Sequence, residues 1–213
     1  MYSKLQYISQ GTTATEQITN IRAALDAGCE WIQLRFKNAS TEEIKVLAKQ
    51  IKEMCLSYTA IFIINDHPQI AKETDADGVH LGLQDMPVAE AKKIIGDKII
   101  GGTANTLSDV LKRVDEGCSY IGLGPFRFTT TKEQLSPVLG LEGYKKIMNE
   151  LEQRQIQMPV YAIGGIGSED IQAIIQTGVY GVAVSGVITN HPDKKLLVQQ
   201  LNKFLYETIN DSR

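Results

Sequence analysis

The chain has 213 residues, of which 43% are hydrophobic and 22% are charged, a composition typical of a soluble globular protein with a buried core. This composition excludes an intrinsically disordered or collagen-like chain. The 22 Lys and Arg side chains are balanced by 25 Asp and Glu, so the formal charge of −3 provides no general positive field for nucleic acid or an anionic membrane. Any anion-binding site must therefore be local.

Cysteine usage and the N-terminal segment bear on where the protein works. Cys29, Cys55 and Cys118 form no C-x-x-C pair, which argues against a disulfide framework or a zinc site. The first residues lack the apolar stretch of a signal peptide, and no apolar run reaches the roughly 18 residues that a membrane span requires. We therefore expect a cytoplasmic protein without a membrane or nucleic-acid partner.

Short apolar runs alternate along the chain with longer stretches whose apolar residues recur at intervals of three and four. Eight strands are predicted in this way, at residues 5–9, 31–36, 61–65, 78–82, 99–103, 120–124, 160–164 and 181–185. Four helix starts are predicted from N-cap residues, at Thr13, Ser40, Thr106 and Ser168. Glu16 and Glu43 complete capping boxes with the first two, and a last helix is predicted at about residues 193–209.

Eight β units that alternate with eight α units predict one (β/α)8 TIM barrel, a single α/β domain over residues 1–213. An open doubly wound sheet is the alternative. Such a sheet normally has fewer strands and a glycine-rich turn after its first strand, whereas the glycine-rich segments here come late in the chain. In a barrel, functional residues are expected at the C-terminal ends of the strands.

The second predicted strand carries three polar residues at alternate positions, which are Gln33, Arg35 and Lys37. They share one face of the strand, and the intervening apolar residues share the other. If the apolar face meets the helices, an amide and two cations point into the barrel mouth, where they need an anion to offset their desolvation. A half-exposed strand with a solvated basic face remains the alternative.

Two aspartates follow neighbouring predicted strands. Asp66 ends the third strand and Asp85 follows the fourth, so the two carboxylates can share one Mg²⁺ ion with the phosphates of a substrate. The alternative is that both are turn residues or helix N-caps. His80, in the middle of the fourth strand, is expected to be a hydrogen-bonded barrel residue rather than a base.

Three late loops carry residues suited to phosphate oxygens. The loop after the sixth strand combines three hydroxyl groups with an ammonium group, on Thr129, Thr130, Thr131 and Lys132. The loops after strands seven and eight carry Gly165 and Ser185, at the place where barrels commonly bind phosphate. A flexible polar loop and simple tight-turn geometry are the respective alternatives.

Five segments together resemble the thiamine phosphate synthase family, whose members are (β/α)8 enzymes. They are residues 33–37, 65–66, 77–85, 122–132 and 163–166. The resemblance implies a transferase that joins 4-amino-5-hydroxymethyl-2-methylpyrimidine diphosphate to a thiazole phosphate, releasing pyrophosphate and giving thiamine monophosphate.

The resemblance also implies roles for individual residues. Arg35, Lys37 and Lys132 would be catalytic, and Asp66 and Asp85 would hold Mg²⁺. The pyrimidine diphosphate would contact Gln33, Leu34, Arg35, Phe36, Lys37, Asn65, Thr103 and Lys132. The thiazole phosphate would contact Thr129, Thr130, Thr131, Gly165, Val184 and Ser185. Thr103 stands where the family has Ser and keeps the hydroxyl, and residues 181–185 are one residue shorter than the family pattern.

Two other functions remain open from the sequence. A thiazole tautomerase of the same superfamily would keep the barrel and the thiazole phosphate site, but it needs a proton-transfer group, and Asn105 stands after the fifth strand where a histidine would serve. A noncatalytic phosphate-binding barrel would explain the glycines but not the paired carboxylates. The sequence does not determine the oligomeric state.

Overall fold

Eight parallel strands close into a barrel in the computed structural model of the chain, which describes residues 2–128 and 137–207. The strands are β1 (Leu5–Ile8), β2 (Trp31–Leu34), β3 (Ile61–Asn65), β4 (Gly78–Leu81), β5 (Ile99–Ala104), β6 (Tyr120–Leu123), β7 (Val160–Ile163) and β8 (Gly181–Val184). Each strand pairs with the next one in sequence, and β8 pairs with β1. The predicted (β/α)8 barrel is confirmed, and the open-sheet alternative is wrong.

Helices follow the strands and surround the barrel. The α-helices of the described residues are α1 (Ala14–Asp26), α2 (Thr41–Ser57), α3 (Pro68–Glu73), α4 (Val88–Ile95), α5 (Leu107–Asp115), α6 (Gly140–Gln153), α7 (Ile171–Ile175), α8 (Gly186–Thr189) and α9 (Lys194–Glu207). The predicted last helix is α9, and residues 208 and 209 of that prediction lie outside the described residues. None of these helices is long and apolar enough to cross a membrane.

Three of the four predicted helix starts are confirmed. The hydroxyls of Thr13, Ser40 and Thr106 each accept a hydrogen bond from the backbone N–H three residues later, which satisfies a donor that the helix itself leaves unpaired. The prediction for Ser168 is wrong, because this residue begins a 3₁₀ turn (Ser168–Asp170) that precedes α7. Here the Asp170 carboxylate accepts a hydrogen bond from the Gly167 N–H at 2.8 Å.

Several strands end one or two residues before the predicted position. As a result, Arg35 and Ser185 lie just beyond the strands rather than within them. They stand where the backbone turns away from the barrel toward the helices. The shorter strands therefore place these two side chains at the C-terminal rim of the barrel, where functional residues are expected.

The buried side chains form two layers. The larger layer lies between the strands and the helices, and the smaller one fills the barrel interior with Ile8, Trp31, Ile63, Tyr120, Tyr161 and Ala183. Trp31 and Tyr120 meet edge to face with ring centroids 5.0 Å apart, and Tyr120 meets Tyr161 at 5.6 Å. Such aromatic pairs contribute about 0.5–1.5 kcal/mol each beyond their buried area. This aromatic packing fills the interior of the barrel beneath its C-terminal mouth.

The three cysteines are buried and form no disulfide. Burial raises the pKa of the Cys29 and Cys55 thiols to about 12. A thiol with so high a pKa stays protonated near neutral pH and is a poor nucleophile. Their burial is typical of cysteines that pack in a protein core.

Candidate active site

A cavity of about 320 Å³ lies at the C-terminal ends of the strands, and we call it the central cavity. The central cavity is lined by Ile8, Gln10, Gln33, Arg35, Asn65, His80, Thr103, Gly124, Pro125, Ile163, Gly164, Gly165, Ile166, Ala183, Val184, Ser185, Gly186 and Val187. It therefore brings together residues that the family resemblance assigns to two different substrates.

The alternation predicted for the second strand holds for residues 33–36 but not for Lys37, which lies outside the central cavity and lines a second pocket with Leu34 and Phe36. Gln33 and Arg35 border the central cavity, whereas Leu34 and Phe36 pack in the apolar layer between strands and helices. Leu34 and Phe36 also border this second pocket, described below. The alternative of a solvated basic face is wrong for Gln33, which is 2% exposed, but it describes Lys37, whose side chain is 52% exposed.

Gln33 presents an acceptor beside the central cavity. Its Nε2 donates to Asn65 Oδ1 at 2.7 Å, which fixes the orientation of the amide. The buried Oε1 has no hydrogen-bond partner among the described residues. Because a buried acceptor without a partner is costly, this oxygen is suited to accept a hydrogen bond from a bound ligand.

Arg35 supplies a positive charge to the same wall. Burial lowers the pKa of its guanidinium, and the nearby Asp66 carboxylate acts in the opposite direction. Since an arginine keeps its proton in proteins, the side chain remains a cation with a fixed fork of donors. Such a fork matches the oxygens of a phosphate group.

A second pocket of about 340 Å³, which we call the acidic pocket, adjoins the central cavity. It is lined by Leu34, Phe36, Lys37, Asn38, Ala39, Ile44, Asn65, Asp66, His67, Asp85 and Met86. Asn65 borders both spaces and therefore marks their junction. Lys37 lies in the acidic pocket, where its Nζ donates to Asp66 Oδ2 at 2.9 Å.

The carboxyl groups of Asp66 and Asp85 share a hydrogen bond, so their protonation is linked. Burial and the neighbouring Asp66 raise the pKa of Asp85 to about 6. Burial alone would raise the pKa of Asp66, but the hydrogen bonds from Asp85 and Lys37 bring it below its ordinary value. Two carboxyl groups this close repel each other when both are charged, and a cation between them relieves that repulsion.

The donor set of the acidic pocket fits Mg²⁺. Asp66 and Asp85 offer hard carboxylate oxygens, and Mg²⁺ is commonly held by one or two carboxylates together with substrate phosphates. Within residues 2–128 and 137–207, no group of three or more His, Cys, Asp or Glu side chains could hold a metal by itself. The pair therefore suits an ion that shares its coordination with a substrate.

The opposite side of the central cavity is formed by the loops after β7 and β8. Gly165 has a φ of 70°, and a Cβ there would lie 2.9 Å from the Cβ of Arg127, so the position favours glycine. Ser185 immediately precedes the short helix α8, a feature commonly found at the phosphate sites of barrels. Val184 packs in the outer apolar layer and borders the cavity beside Ser185.

Thr129, Thr130, Thr131 and Lys132 lie outside the described residues. The segment that leads to them is fixed to the loop after β7, because Phe126 N donates to Ile163 O at 2.9 Å and Arg127 N donates to Gly164 O at 3.0 Å. Arg127 also forms an ion pair with Asp170. The chain before Thr129 therefore leaves the barrel beside the central cavity.

Some residues at the site were not predicted from the sequence. Gln10, just after β1, borders the central cavity beside Gly186. Its only sequence signal is a polar residue at the end of the first predicted strand.

The prediction that His80 is hydrogen-bonded in the barrel is confirmed, since both ring nitrogens have hydroxyl partners at 3.0 Å.

Comparison with known proteins identifies the family. The sequence profile of the family described as thiamine monophosphate synthase matches residues 5–188, from β1 into α8. The chain belongs to the thiamine monophosphate synthase family. The transferase class predicted from the sequence is thereby confirmed.

Relatives in this family match the chain over nearly its whole length. A thiamine-phosphate synthase of Flavobacterium johnsoniae is 56% identical over 210 residues, which cover 98% of this chain and 99% of that protein. A thiamine-phosphate synthase of Bacteroides fragilis is 52% identical over 190 residues, covering 89% and 93%. The similarity therefore extends over most of the length of both relatives.

The fold comparison agrees with the family. The solved structure of thiamine phosphate pyrophosphorylase from Pyrococcus furiosus superposes with a TM-score of 0.85 at 33% identity, covering 97% of each chain. A 3-hexulose-6-phosphate synthase from Salmonella typhimurium superposes with a TM-score of 0.69 at 18% identity. The second likeness concerns the barrel fold alone.

Proposed function

We propose that this chain transfers the pyrimidinylmethyl group of an aminopyrimidine diphosphate to the nitrogen of a thiazole phosphate, giving thiamine monophosphate and pyrophosphate. One observation carries the proposal. On the side of the central cavity formed by β2 to β5 lie Gln33, Arg35 and Thr103, and on the side formed by the loops after β7 and β8 lie Gly165 and Ser185. Two substrates bound to these opposite sides would face each other across one space.

The first side suits the aminopyrimidine diphosphate. The free acceptor Oε1 of Gln33 would take an N–H of the pyrimidine's amino group, while Leu34 and Phe36 form the apolar layer behind it. Arg35, Asn65, Thr103 and Lys37 would surround the diphosphate, and Lys132 would complete this group of donors. Charged donors match phosphate oxygens better than neutral ones do.

Asp66 and Asp85 would hold Mg²⁺ at the acidic pocket, next to the diphosphate. When bound, the ion would neutralise part of the negative charge of the diphosphate and make it a better leaving group. The chain's own cations, Arg35 and Lys37, would act on the same charge from β2 and the residues after it.

The second side suits the thiazole phosphate. The backbone at Gly165, together with Val184 and Ser185, would bind the phosphate group, and Thr129, Thr130 and Thr131 would contribute hydroxyl donors. A phosphate anchored there holds the thiazole at a fixed distance from the pyrimidine. Such positioning makes the reaction between the two substrates effectively unimolecular and leaves little room for water.

Bond breaking is the difficult step. The carbon–oxygen bond to the diphosphate breaks with its electron pair going to the leaving oxygen, while the pyrimidine's amino group donates electron density to the methylene carbon. The thiazole nitrogen then supplies the pair for the new carbon–nitrogen bond. Arg35 and Lys37 would stabilise the charge that develops on the leaving diphosphate, and no general base is needed.

The comparisons give no support to a thiazole tautomerase. A tautomerase needs a group that transfers a proton, and the Asn105 amide donates to the Gly124 carbonyl instead of offering a base. Because the cysteines are reduced and no described helix crosses a membrane, we propose that the reaction takes place in the cytoplasm.

The test is incubation of the purified chain with both substrates, with and without Mg²⁺. We expect thiamine phosphate and pyrophosphate to appear in equal amounts, and only when Mg²⁺ and both substrates are present. Omission of each substrate in turn is the control. Isomerisation of the thiazole phosphate without release of pyrophosphate would contradict the proposal.

A further inference from the structure

Four buried polar side chains form a hydrogen-bonded row that crosses the barrel interior to the central cavity. Gln6 Nε2 donates to the Tyr120 hydroxyl at 3.1 Å. That hydroxyl lies 3.0 Å from His80 Nδ1, and His80 Nε2 lies 3.0 Å from Thr103 Oγ1. We call this row the interior network; it ends at Thr103, which borders the central cavity.

Gln6 and Tyr120 determine which atom donates in each hydrogen bond of the interior network. The amide of Gln6 already donates to the Tyr120 oxygen, so the phenolic proton has His80 Nδ1 as its acceptor. Burial raises the pKa of Tyr120 above its ordinary value, which keeps that proton on the phenol. An imidazole that accepts at Nδ1 carries its hydrogen on Nε2, and it therefore donates to Thr103.

The direction of the last hydrogen bond decides what Thr103 offers to a ligand. Its side-chain oxygen Oγ1 accepts from His80 Nε2, which is the one hydrogen-bond partner of this hydroxyl among the described residues. The hydroxyl hydrogen is then left to point into the central cavity. From this geometry we infer that His80 and Tyr120 are positioning residues, which make Thr103 a hydrogen-bond donor to an anionic oxygen of the substrate.

Two glycines provide the space that the interior network needs. Gly101 lies on β5 between His80 on β4 and Tyr120 on β6, and it pairs with both in the sheet. A Cβ at Gly101 would lie 2.5 Å from the Tyr120 hydroxyl, and a Cβ at Gly122 would lie 3.1 Å from His80 Cε1. The missing side chain on β5 lets the tyrosine reach the histidine two strands away.

The inference rests on the proposed function, because it makes Thr103 a donor to the diphosphate of that reaction. A donor at this point would contribute most as the leaving oxygens gain charge. If these buried side chains served only to pair one another's hydrogen-bonding groups, it would not matter which atom donates in each hydrogen bond. The test therefore first measures which ring nitrogen of His80 carries the hydrogen, and then measures how the interior network affects the ligand.

The tautomer of His80 is measured by nitrogen NMR on the ligand-free protein labelled with ¹⁵N-histidine. The chain has three histidines, and the variants His67→Gln and His191→Gln assign the remaining imidazole to His80. We expect a neutral ring with hydrogen on Nε2 and a bare Nδ1. A ring with hydrogen on Nδ1, or one that exchanges freely between tautomers, would overturn the inference.

A double-mutant cycle tests whether Tyr120 acts through Thr103. Thr103→Val should lower kcat/KM for the diphosphate substrate roughly ten- to hundredfold, because a hydrogen bond to a charged group is lost. Tyr120→Phe should lower it by about three- to tenfold, because the tautomer of His80 is no longer fixed. The double variant should match Thr103→Val alone, since coupled residues show non-additive effects.

The matched control is Tyr161→Phe. Tyr161 is also buried in the barrel interior, but its hydroxyl donates to Ser3 O at 2.7 Å and does not border the central cavity. This variant should keep wild-type kcat/KM, and thermal unfolding should show that all variants fold. Losses that multiply in the double variant, or an unchanged rate in Tyr120→Phe, would contradict the role assigned to Tyr120.

Calorimetry measures the binding of inorganic pyrophosphate with Mg²⁺ to the same set of variants, so the double-mutant cycle is repeated in the absence of the reaction. Here too, Tyr120→Phe should weaken binding only when Thr103 is present. If the wild-type protein formed no thiamine phosphate, the proposed function would fail. The NMR and binding experiments would still decide the inference about His80 and Thr103, so the two failures are distinguishable.

Discussion

Lys37 forms an ion pair with Asp66: its Nζ lies 2.9 Å from Oδ2, although the lysine side chain is 52% exposed. By the family resemblance, this lysine would contact a diphosphate and this aspartate would hold a metal ion. In the structure, the cation lies where the proposed ion would bind, so the two compete for one carboxylate. Binding of Mg²⁺ would release the lysine, which has room in solvent to turn toward the phosphates.

The first prediction concerns the proposed metal carboxylates. Asp66→Asn or Asp85→Asn should raise the Mg²⁺ concentration for half-maximal activity about tenfold or more, because each removes an ionised oxygen ligand. Stability should change by no more than about 1 kcal/mol, since both side chains are only partly buried.

Titration of activity with Mg²⁺ measures this effect. Asp75→Asn is the control, because Asp75 is an exposed carboxylate that pairs with Lys98 away from the acidic pocket. The control should keep the wild-type Mg²⁺ dependence. Wild-type Mg²⁺ dependence in both Asp66→Asn and Asp85→Asn would contradict the magnesium site.

The second prediction concerns pH. Burial and Asp66 raise the pKa of Asp85 to about 6, so the folded protein holds this proton more tightly than the unfolded chain does, where Asp has a pKa of about 3.9. The stability contributed by Asp85 is fully present below about pH 4 and is lost as the pH rises through about 6. Above that pH the charged pair favours cation binding.

Melting temperature with and without Mg²⁺ measures this linkage. Mg²⁺ should raise Tm at about pH 7.5 and have much less effect at about pH 5, because a protonated Asp85 is a poor ligand. Asp85→Asn should remove most of the pH dependence of this shift. An equal shift at both pH values in the wild-type protein would contradict the assigned titration.

Local patterns in the sequence predicted the parts of the fold that depend on near neighbours. Thr13 and Ser40 start helices because their partners lie three residues away, and the period of two in β2 placed Gln33 and Arg35 on the inner face. Ser168 was misassigned because the Asp170 carboxylate accepts the hydrogen bond from the Gly167 N–H.

Contacts between distant residues could not be predicted from one sequence. The closeness of Tyr120 to His80 depends on the register of three strands and on the missing side chain at Gly101. The Lys37–Asp66 ion pair likewise joins the segment after β2 to the end of β3. Such pairings depend on how the closed barrel sets the strands side by side, which no local pattern encodes.

The third prediction tests the division of the central cavity between two substrates. Ser185→Ala should raise KM for the thiazole phosphate about three- to tenfold and leave KM for the pyrimidine diphosphate unchanged, because one neutral donor to a phosphate is lost. Lys132→Ala should act through the diphosphate substrate instead. Steady-state kinetics with each substrate varied in turn separate the two effects.

Ser168→Ala is the matched control for this experiment. Ser168 lies in the loop after β7, close to Gly165, but does not border the central cavity. Its loss should leave both KM values unchanged. If Ser185→Ala and Lys132→Ala affected the same substrate, the assignment of the two sides would be wrong.

The last prediction separates the synthase from a tautomerase through Arg35. A diphosphate leaving group gains charge as its bond breaks, so a fixed cation beside it stabilises the transition state more than the bound substrate. Arg35→Ala should therefore lower kcat as well as affinity. Loss of one such preorganised group commonly costs about 3 kcal/mol, which is about a hundredfold in rate.

Arg35→Lys should recover part of that loss, because it restores the charge without the fork of donors that fits two phosphate oxygens. Arg154→Ala serves as the control, since Arg154 pairs with Glu150 on the surface of the protein.

The assays are release of pyrophosphate from the paired substrates and isomerisation of the thiazole phosphate alone. A tautomerase would be insensitive to Arg35, because its substrate has a single phosphate, which would bind at Gly165 and Ser185 across the cavity. Two results together would show that the protein is a tautomerase and not a synthase. The wild-type protein would isomerise the thiazole phosphate without releasing pyrophosphate, and the Arg35→Ala variant would isomerise it equally well.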